Sequence, residues 1–93
     1  MATAATPAPS GAGTPAQVTV RYWAGARAAT GLDTEVLGGD TVADVLARAE
    51  TAHPGLVPVL QVATVLLDGR PASGVSRLTD GATLEVLPPF AGG

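Results

Sequence analysis

One stretch of this chain, and only one, spaces its apolar residues for a helix. In GGDTVADVLARAETAHPG, Val42, Val45, Leu46 and Ala49 fall at i, i+3, i+4 and i+7 and make a single apolar stripe. Asp40 or Thr41 caps its start, Thr41 and Asp44 stand at capping-box spacing with Asp in place of the usual Glu, and Pro54 ends it near His53. The other apolar segments read as strands. In QVTVRYW, Val18, Val20 and Tyr22 point to one side and Thr19, Arg21 and Trp23 to the other. LDTEVL, Leu32 to Leu37, alternates again and can pair with it as a hairpin. VATVLL runs into an Asp68-Gly69 turn, and RLTDGATLEVL turns at Asp80-Gly81 into a last strand, Ala82 to Leu87. Between these, AGARAATG reads as a loop or bend ending at Gly31, Gly38 and Gly39 as the break after the second strand, and GLVPVLQ as a 3₁₀ turn. One amphipathic helix and four or five strands bury their apolar sides together when the helix lies across one face of the sheet.

The order strand, strand, helix, strand, short strand, strand predicts an α+β fold. It is a β-grasp (ubiquitin-like) roll: a mixed four- to five-stranded sheet with one main helix packed on one face. The 93 residues suffice for one small domain. With only 3% aromatic residues, its core must come from Val, Leu and Ala. We divide the chain into a disordered low-complexity arm (1–16), rich in Ala, Thr, Pro, Gly and Ser, a folded domain (17–89) and a flexible reactive tail (90–93).

The composition excludes several chemistries. There is no cysteine, so no disulfide, thiolate nucleophile or cysteine metal site is available, and a single histidine, His53, argues against a zinc site. There is no lysine, which removes Schiff-base chemistry. The net charge is −3 and Arg21, Arg27, Arg48, Arg70 and Arg77 are scattered, so there is no nucleic-acid footprint. GAGTPAQ lacks the Lys and the strand–loop–helix setting of a phosphate loop. The N-terminal stretch has no basic region or apolar run of a secretory signal, and nothing resembles a membrane span, so a cytoplasmic location is expected. His53 reads as a helix-end residue, Asp40 and Asp44 as helix N-terminal charges, and Asp68 and Asp80 as turn residues. With no nucleophile–base pair, an enzyme acting alone is the poorest reading.

The last seven residues, LPPFAGG, carry the functional signal. Pro88 and Pro89 have no N–H, so the strand before them cannot extend its ladder, and they favour a stiff extended path. The four residues after Pro89 reach about 13 Å when extended. Gly92 and Gly93 can thread a slot that would reject any Cβ. The group then offered is the α-carboxylate of Gly93, which becomes an acyl donor only when activated, for instance as an acyl-adenylate; without a phosphate loop here, activation falls to a partner. Phe90, beyond the last strand, reads as an anchor for a partner's pocket or as a ring folded back on the domain. By parity Leu84 and Val86 face the core, while Glu85, Leu87 and Trp23 face out. With first and last strands adjacent, as a β-grasp sheet requires, Trp23 and Leu87 form an apolar patch beside the tail's root; the alternative has Trp23 start a bend and pack inward.

On these residues the sequence resembles the MoaD/ThiS family of ubiquitin-like sulfur carriers, and within it the MoaD type, the small subunits of molybdopterin synthase. The similarity runs from about Gln17 to Gly93 through VTVRYWAGARAATG, GDTVADVLARA, LLDG and LTDGATLEVLPPFAGG, with Pro-Pro-x-x-Gly-Gly its specific part. The resemblance implies that an ATP-dependent adenylating and sulfurating enzyme of the MoeB type converts the Gly93 carboxylate to a thiocarboxylate. The tail then enters the molybdopterin synthase large subunit (MoaE type), which holds the catalytic residues and passes sulfur to cyclic pyranopterin monophosphate. It implies Gly93 and Gly92 as the reacting end and Pro89, Phe90, Ala91, Leu87, Trp23 and Arg27 as partner contacts. It implies no cofactor on this chain, the ATP being used by the activating partner, and neither nucleic-acid nor membrane partners. Ala28 replaces a frequent acidic residue of the family and Asp68-Gly69 a common Asn-Gly. Arg27 is equally readable as half of a surface ion pair. Two other functions remain open: a carrier for thiamine thiazole, cysteine or a modified tRNA base, and a β-grasp interaction module or protein modifier.

Overall fold

The computed structural model describes residues 15–89. The readings placed on the N-terminal arm as far as residue 14, and on Phe90, Ala91, Gly92 and Gly93, lie outside the described residues.

The chain forms β1 (Ala16–Tyr22), α1 (Ala24–Thr30), β2 (Thr34–Gly39), α2 (Val42–Ala52), α3 (Leu56–Leu60), β3 (Thr64–Leu67), β4 (Arg70–Pro71) and β5 (Thr83–Leu87). The strands make one mixed sheet in the order β2-β1-β5-β3-β4, the β-grasp arrangement. β1 and β5 run parallel side by side at its centre, and the other pairings are antiparallel. Parallel neighbours need a crossover, and the chain from α1 to β4 supplies it.

Alternation decides which face is covered. Val18, Val20 and Tyr22 of β1 and Leu84 and Val86 of β5 are buried. They meet the α2 stripe of Val42, Val45 and Ala49, with Ala26, Leu56 and Ala82 completing the core. The helix starts where its capping box closes: Thr41 Oγ1 accepts from the Asp44 N–H at 3.3 Å, and Asp44 Oδ2 accepts from the Thr41 N–H at 3.1 Å. The shorter Asp therefore serves as well as the usual Glu. Asp68 and Gly69, at φ 49° and 84°, form the two-residue turn between β3 and β4, the left-handed conformation that tight hairpins need.

Four local readings are corrected. The strand begins at Ala16, one residue into the segment read as arm. Ala24–Thr30, read as a loop, is helical: Gly31 at φ 75° closes it, and Ala26 is buried. Seven residues show too little periodicity to read and are too short to hold a helix alone; contact with α3 supports it. Leu56–Leu60, read as a 3₁₀ turn, is a short α-helix anchored by buried Leu56. Gly38 and Gly39 do not break the second strand but end it in register with Gln17 and Ala16. Gly39 serves close approach instead, since a Cβ there would lie 2.8 Å from Val45 Cγ2 and 3.0 Å from Asp44 Cβ. Among the described residues no helix is long and apolar enough to cross a membrane.

Candidate functional site

The site is the end of the sheet from which the tail departs. β5 shows the expected parity: Leu84 and Val86 are buried, and Thr83, Glu85 and Leu87 lie half-buried on the face that α2 leaves open. The strand is flanked on both sides, and its last residue, Leu87, pairs with Thr64 of β3. Pro88 and Pro89 follow directly, half-buried and exposed. Lacking N–H groups, they stop the ladder at the centre of the sheet rather than at an edge.

Trp23 sits beside this point. Its backbone N–H donates to Val86 O at 3.2 Å, continuing the β1–β5 pairing by one residue. Its indole Nε1–H donates to Glu85 Oε2 at 3.2 Å, and the Arg21 guanidinium stands 4.9 Å from the ring centroid. Arg21 and Glu85 are register partners, so the ring is held from two sides by open-face residues. It is half-buried and stands outside the core. The outward reading of Trp23 therefore holds and the inward one does not. The parallel register that pairs Tyr22 with Val86 continues to Trp23 and Leu87 on adjoining strands. Ala24, next in the chain, takes φ 45° as β1 turns into α1; a left-handed alanine costs about 1–2 kcal/mol.

Arg27 projects from α1 and its Nε lies 3.0 Å from Asp33 Oδ1, with the two side chains 55% and 79% exposed. The surface ion pair is thus formed, and at that exposure it contributes little stability. Arg27 also lines, with Arg21, Tyr22, Trp23, Asp33 and Thr34, a cleft of about 140 Å³. Trp23, the N-cap of α1, and Arg27, one turn into that helix, share one small surface.

Sequence reasoning missed one polar network. Glu35 Oε1 accepts from Tyr22 Oη–H at 2.6 Å and lies 2.7 Å from His53 Nε2. The Tyr22 and His53 rings meet edge to face, with centroids 6.1 Å apart. The network ties β1, β2 and the C-cap of α2 together, so His53 is a structural helix-end residue, as read. Strand parity was the available signal, since Glu35 falls on the same side of β2 as Leu37. Burial, reinforced by the Glu35 carboxylate, holds the Tyr22 phenol well above its ordinary range. The folded state thus keeps a proton that the unfolded chain releases near pH ~10. Stability from this group is complete below that pH and falls above it by about 1.4 kcal/mol per pH unit. The chain has one tyrosine and neither lysine nor cysteine, so little else titrates there. Urea unfolding between about pH 9 and 11.5 should show this slope, and Tyr22→Phe should flatten it.

A family model described as the ThiS family matches residues 20–93. The chain belongs to the ThiS family. Among curated proteins the sequence finds no match. Solved structures bear out the fold of this ThiS-family chain. The solution structure of small archaeal modifier protein 1 from Methanosarcina acetivorans is similar at a TM-score of 0.77 and 27% identity, over 87% of this chain and 100% of that one. The Amycolatopsis orientalis BexX/CysO complex contains a chain similar at a TM-score of 0.72 and 26% identity, over 82% and 99%. The complex of subunits 1 and 2 of molybdopterin-converting factor from Helicobacter pylori contains one at 0.63 and 22%, over 83% and 99%, a likeness of fold. Fold and family together make this a ubiquitin-like sulfur carrier of the ThiS kind.

Proposed function

We propose that this ThiS-family protein delivers sulfur, from a thiocarboxylate on Gly93, to cyclic pyranopterin monophosphate, the precursor of molybdopterin. The Gly93 carboxylate condenses with ATP on an activating enzyme of the MoeB type, giving an acyl-adenylate and pyrophosphate. A sulfur donor displaces AMP and leaves the thiocarboxylate. Inside a MoaE-type large subunit the sulfur passes to cyclic pyranopterin monophosphate, and water restores the carboxylate. Gly92 and Gly93 form the reacting end. Pro89, Phe90 and Ala91 line the threaded segment, while Leu87, Trp23 and Arg27 meet the partners. ATP is the activating enzyme's substrate, this chain binds no cofactor, and the work takes place in the cytoplasm.

The observation that carries the reading is a central strand halted by a proline pair directly before Phe-Ala-Gly-Gly, with a fixed tryptophan beside the halt. A specific observation also favours a second reading. The structural neighbours include a modifier protein and a CysO chain at slightly higher identity than the molybdopterin-converting factor chain. The same activated tail can serve another sulfur acceptor or an amine of a target protein.

Incubation with an activating enzyme, ATP and a sulfide donor should raise the protein's mass by one oxygen-to-sulfur exchange. No shift would sink both carrier readings. With the thiocarboxylate in hand, conversion of the pterin precursor by the large subunit supports the first reading. Sulfur delivery only to a thiazole or cysteine synthase, or conjugation to proteins, moves the function to the second.

A further inference from the structure

The two edges of the sheet are unlike. The β4 edge is blunted: it is two residues long, and one of them is Pro71. The β2 edge is six residues long, with no proline, no lysine and no positive-φ residue between Thr34 and Gly39. Proteins usually protect such an edge, because its unpaired N–H and C=O groups invite another strand.

Which groups are unpaired follows from the phase of the ladder. The Tyr22 N–H donates to Asp33 O at 2.8 Å. In the antiparallel register this makes Val20–Glu35, Val18–Leu37 and Ala16–Gly39 the pairs that exchange hydrogen bonds. The odd residues of β1 turn the other way, as Thr19 N–H to Ala82 O and Trp23 N–H to Val86 O show. The N–H and C=O of Thr34, Val36 and Gly38 therefore point out from the edge, and among the described residues nothing bonds them. Val36, at the middle of these three, is 62% exposed.

We propose that the β2 edge pairs antiparallel with the β2 edge of a second copy of this chain about a two-fold axis at Val36. The three outward positions are self-complementary: Val36 exchanges hydrogen bonds with its own copy, and Thr34 with Gly38 of the other, which has no side chain to obstruct. The result is one continuous sheet across two molecules.

Charge favours the same register. Between the β2 edge and α2 runs a groove of about 570 Å³, lined by Val36, Leu37, Gly38, Ala47, Arg48, Thr51 and Ala52. Arg48 also borders Gly39, and among the described residues it has no ion-pair partner. Asp44, one helical turn earlier, spends its carboxylate on the capping box. Centring the pairing on Val36 sets Gly39 opposite Asp33 of the second copy. By alternation Asp33 shares the helix-side face with Glu35 and Leu37. Its Oδ1 is taken by Arg27 of its own chain, which leaves Oδ2 to receive the incoming Arg48, twice by symmetry. An isologous contact of this kind closes at two copies. β1 lies between the seam and β5, so the tail's root remains open, and the inference does not rest on the sulfur-carrier reading.

Sedimentation equilibrium of the full chain from about 10 μM to about 1 mM brackets an interface below standard size. Dimer should accumulate with concentration, and the amides of Thr34, Val36 and Gly38 should gain hydrogen-exchange protection in parallel. Val36→Pro removes an outward N–H without touching the β1 ladder, so the variant should fold and stay monomeric. Arg48→Glu, on an exposed position, should weaken dimerisation about tenfold and decides the matter if the proline variant does not fold. A wild-type chain monomeric throughout overturns the proposal. So does a dimer indifferent to the variants, or protection already present at high dilution, which would show the edge covered within one molecule.

Discussion

Removal of Gly92 and Gly93 should abolish thiocarboxylate formation while leaving the folded domain as stable as before. The core is assembled from residues between Val18 and Val86, closed by α2. Among the described residues that cluster ends before the proline pair, and glycines have no side chain to bury, so the loss of Gly92 and Gly93 belongs with changes that alter stability by less than about 0.5 kcal/mol. The chemistry responds differently. Without the two glycines the terminal carboxylate is withdrawn by two residues, roughly 7 Å of extended chain, and on the proposed function it then falls short of the activating enzyme's adenylating centre. A misplacement of only ~1 Å already costs about 100-fold in such reactions, so the truncated chain should show no mass shift by intact-protein mass spectrometry. Gly92→Val tests the slot separately, because it keeps the length and adds a branched side chain. It should load at under about 1% of the wild-type rate with an unchanged melting temperature. Normal loading of the truncated chain would detach the activity from the tail.

The division between what was readable and what was not has physical causes. β1 and β5 were legible because each buries one face, so period-two alternation named Val18, Val20, Tyr22, Leu84 and Val86 as core. α2 was legible from its stripe and from Thr41 and Asp44. The misses are places where tertiary contact overrides local signal. Ala24–Thr30 becomes helical because Ala26 finds a buried place and α3 covers it. Gly38 and Gly39 stay in the strand because β1 pairs with them, and the second admits the start of α2 where a Cβ would collide. For the site, the outward face of Trp23 followed from parity. The grip of Glu85 and Arg21 did not, because it depends on the parallel register of two strands far apart in sequence. The contact of Glu35 with both Tyr22 and His53 was equally out of reach, since it joins three elements whose spacing only the closed sheet defines.

Trp23→Ala should lower affinity for the large subunit or the activating enzyme by about 30-fold or more, the mark of an anchoring residue worth ~2 kcal/mol, and leave the domain folded. The ring is prepared for such a role. A free tryptophan loses rotamer freedom on binding, but here one hydrogen bond to Glu85 and the guanidinium of Arg21 already hold it. Its removal opens no cavity, because the ring lies outside the core, and it forfeits only a contact of about 0.5–1 kcal/mol with Arg21 and one partly exposed hydrogen bond. Calorimetric titration against each partner, with thermal unfolding in parallel, separates the two effects. Glu85→Gln keeps an acceptor for the indole and should bind nearly as wild type, whereas Glu85→Ala frees the ring and should give an intermediate loss. That ordering distinguishes a positioned anchor from apolar area alone, for which both Glu85 variants would be neutral. Arg27→Ala makes the contrast. Its exposed pair with Asp33 adds little to stability, so any large loss of affinity in that variant comes from the cleft it shares with Trp23 rather than from the fold.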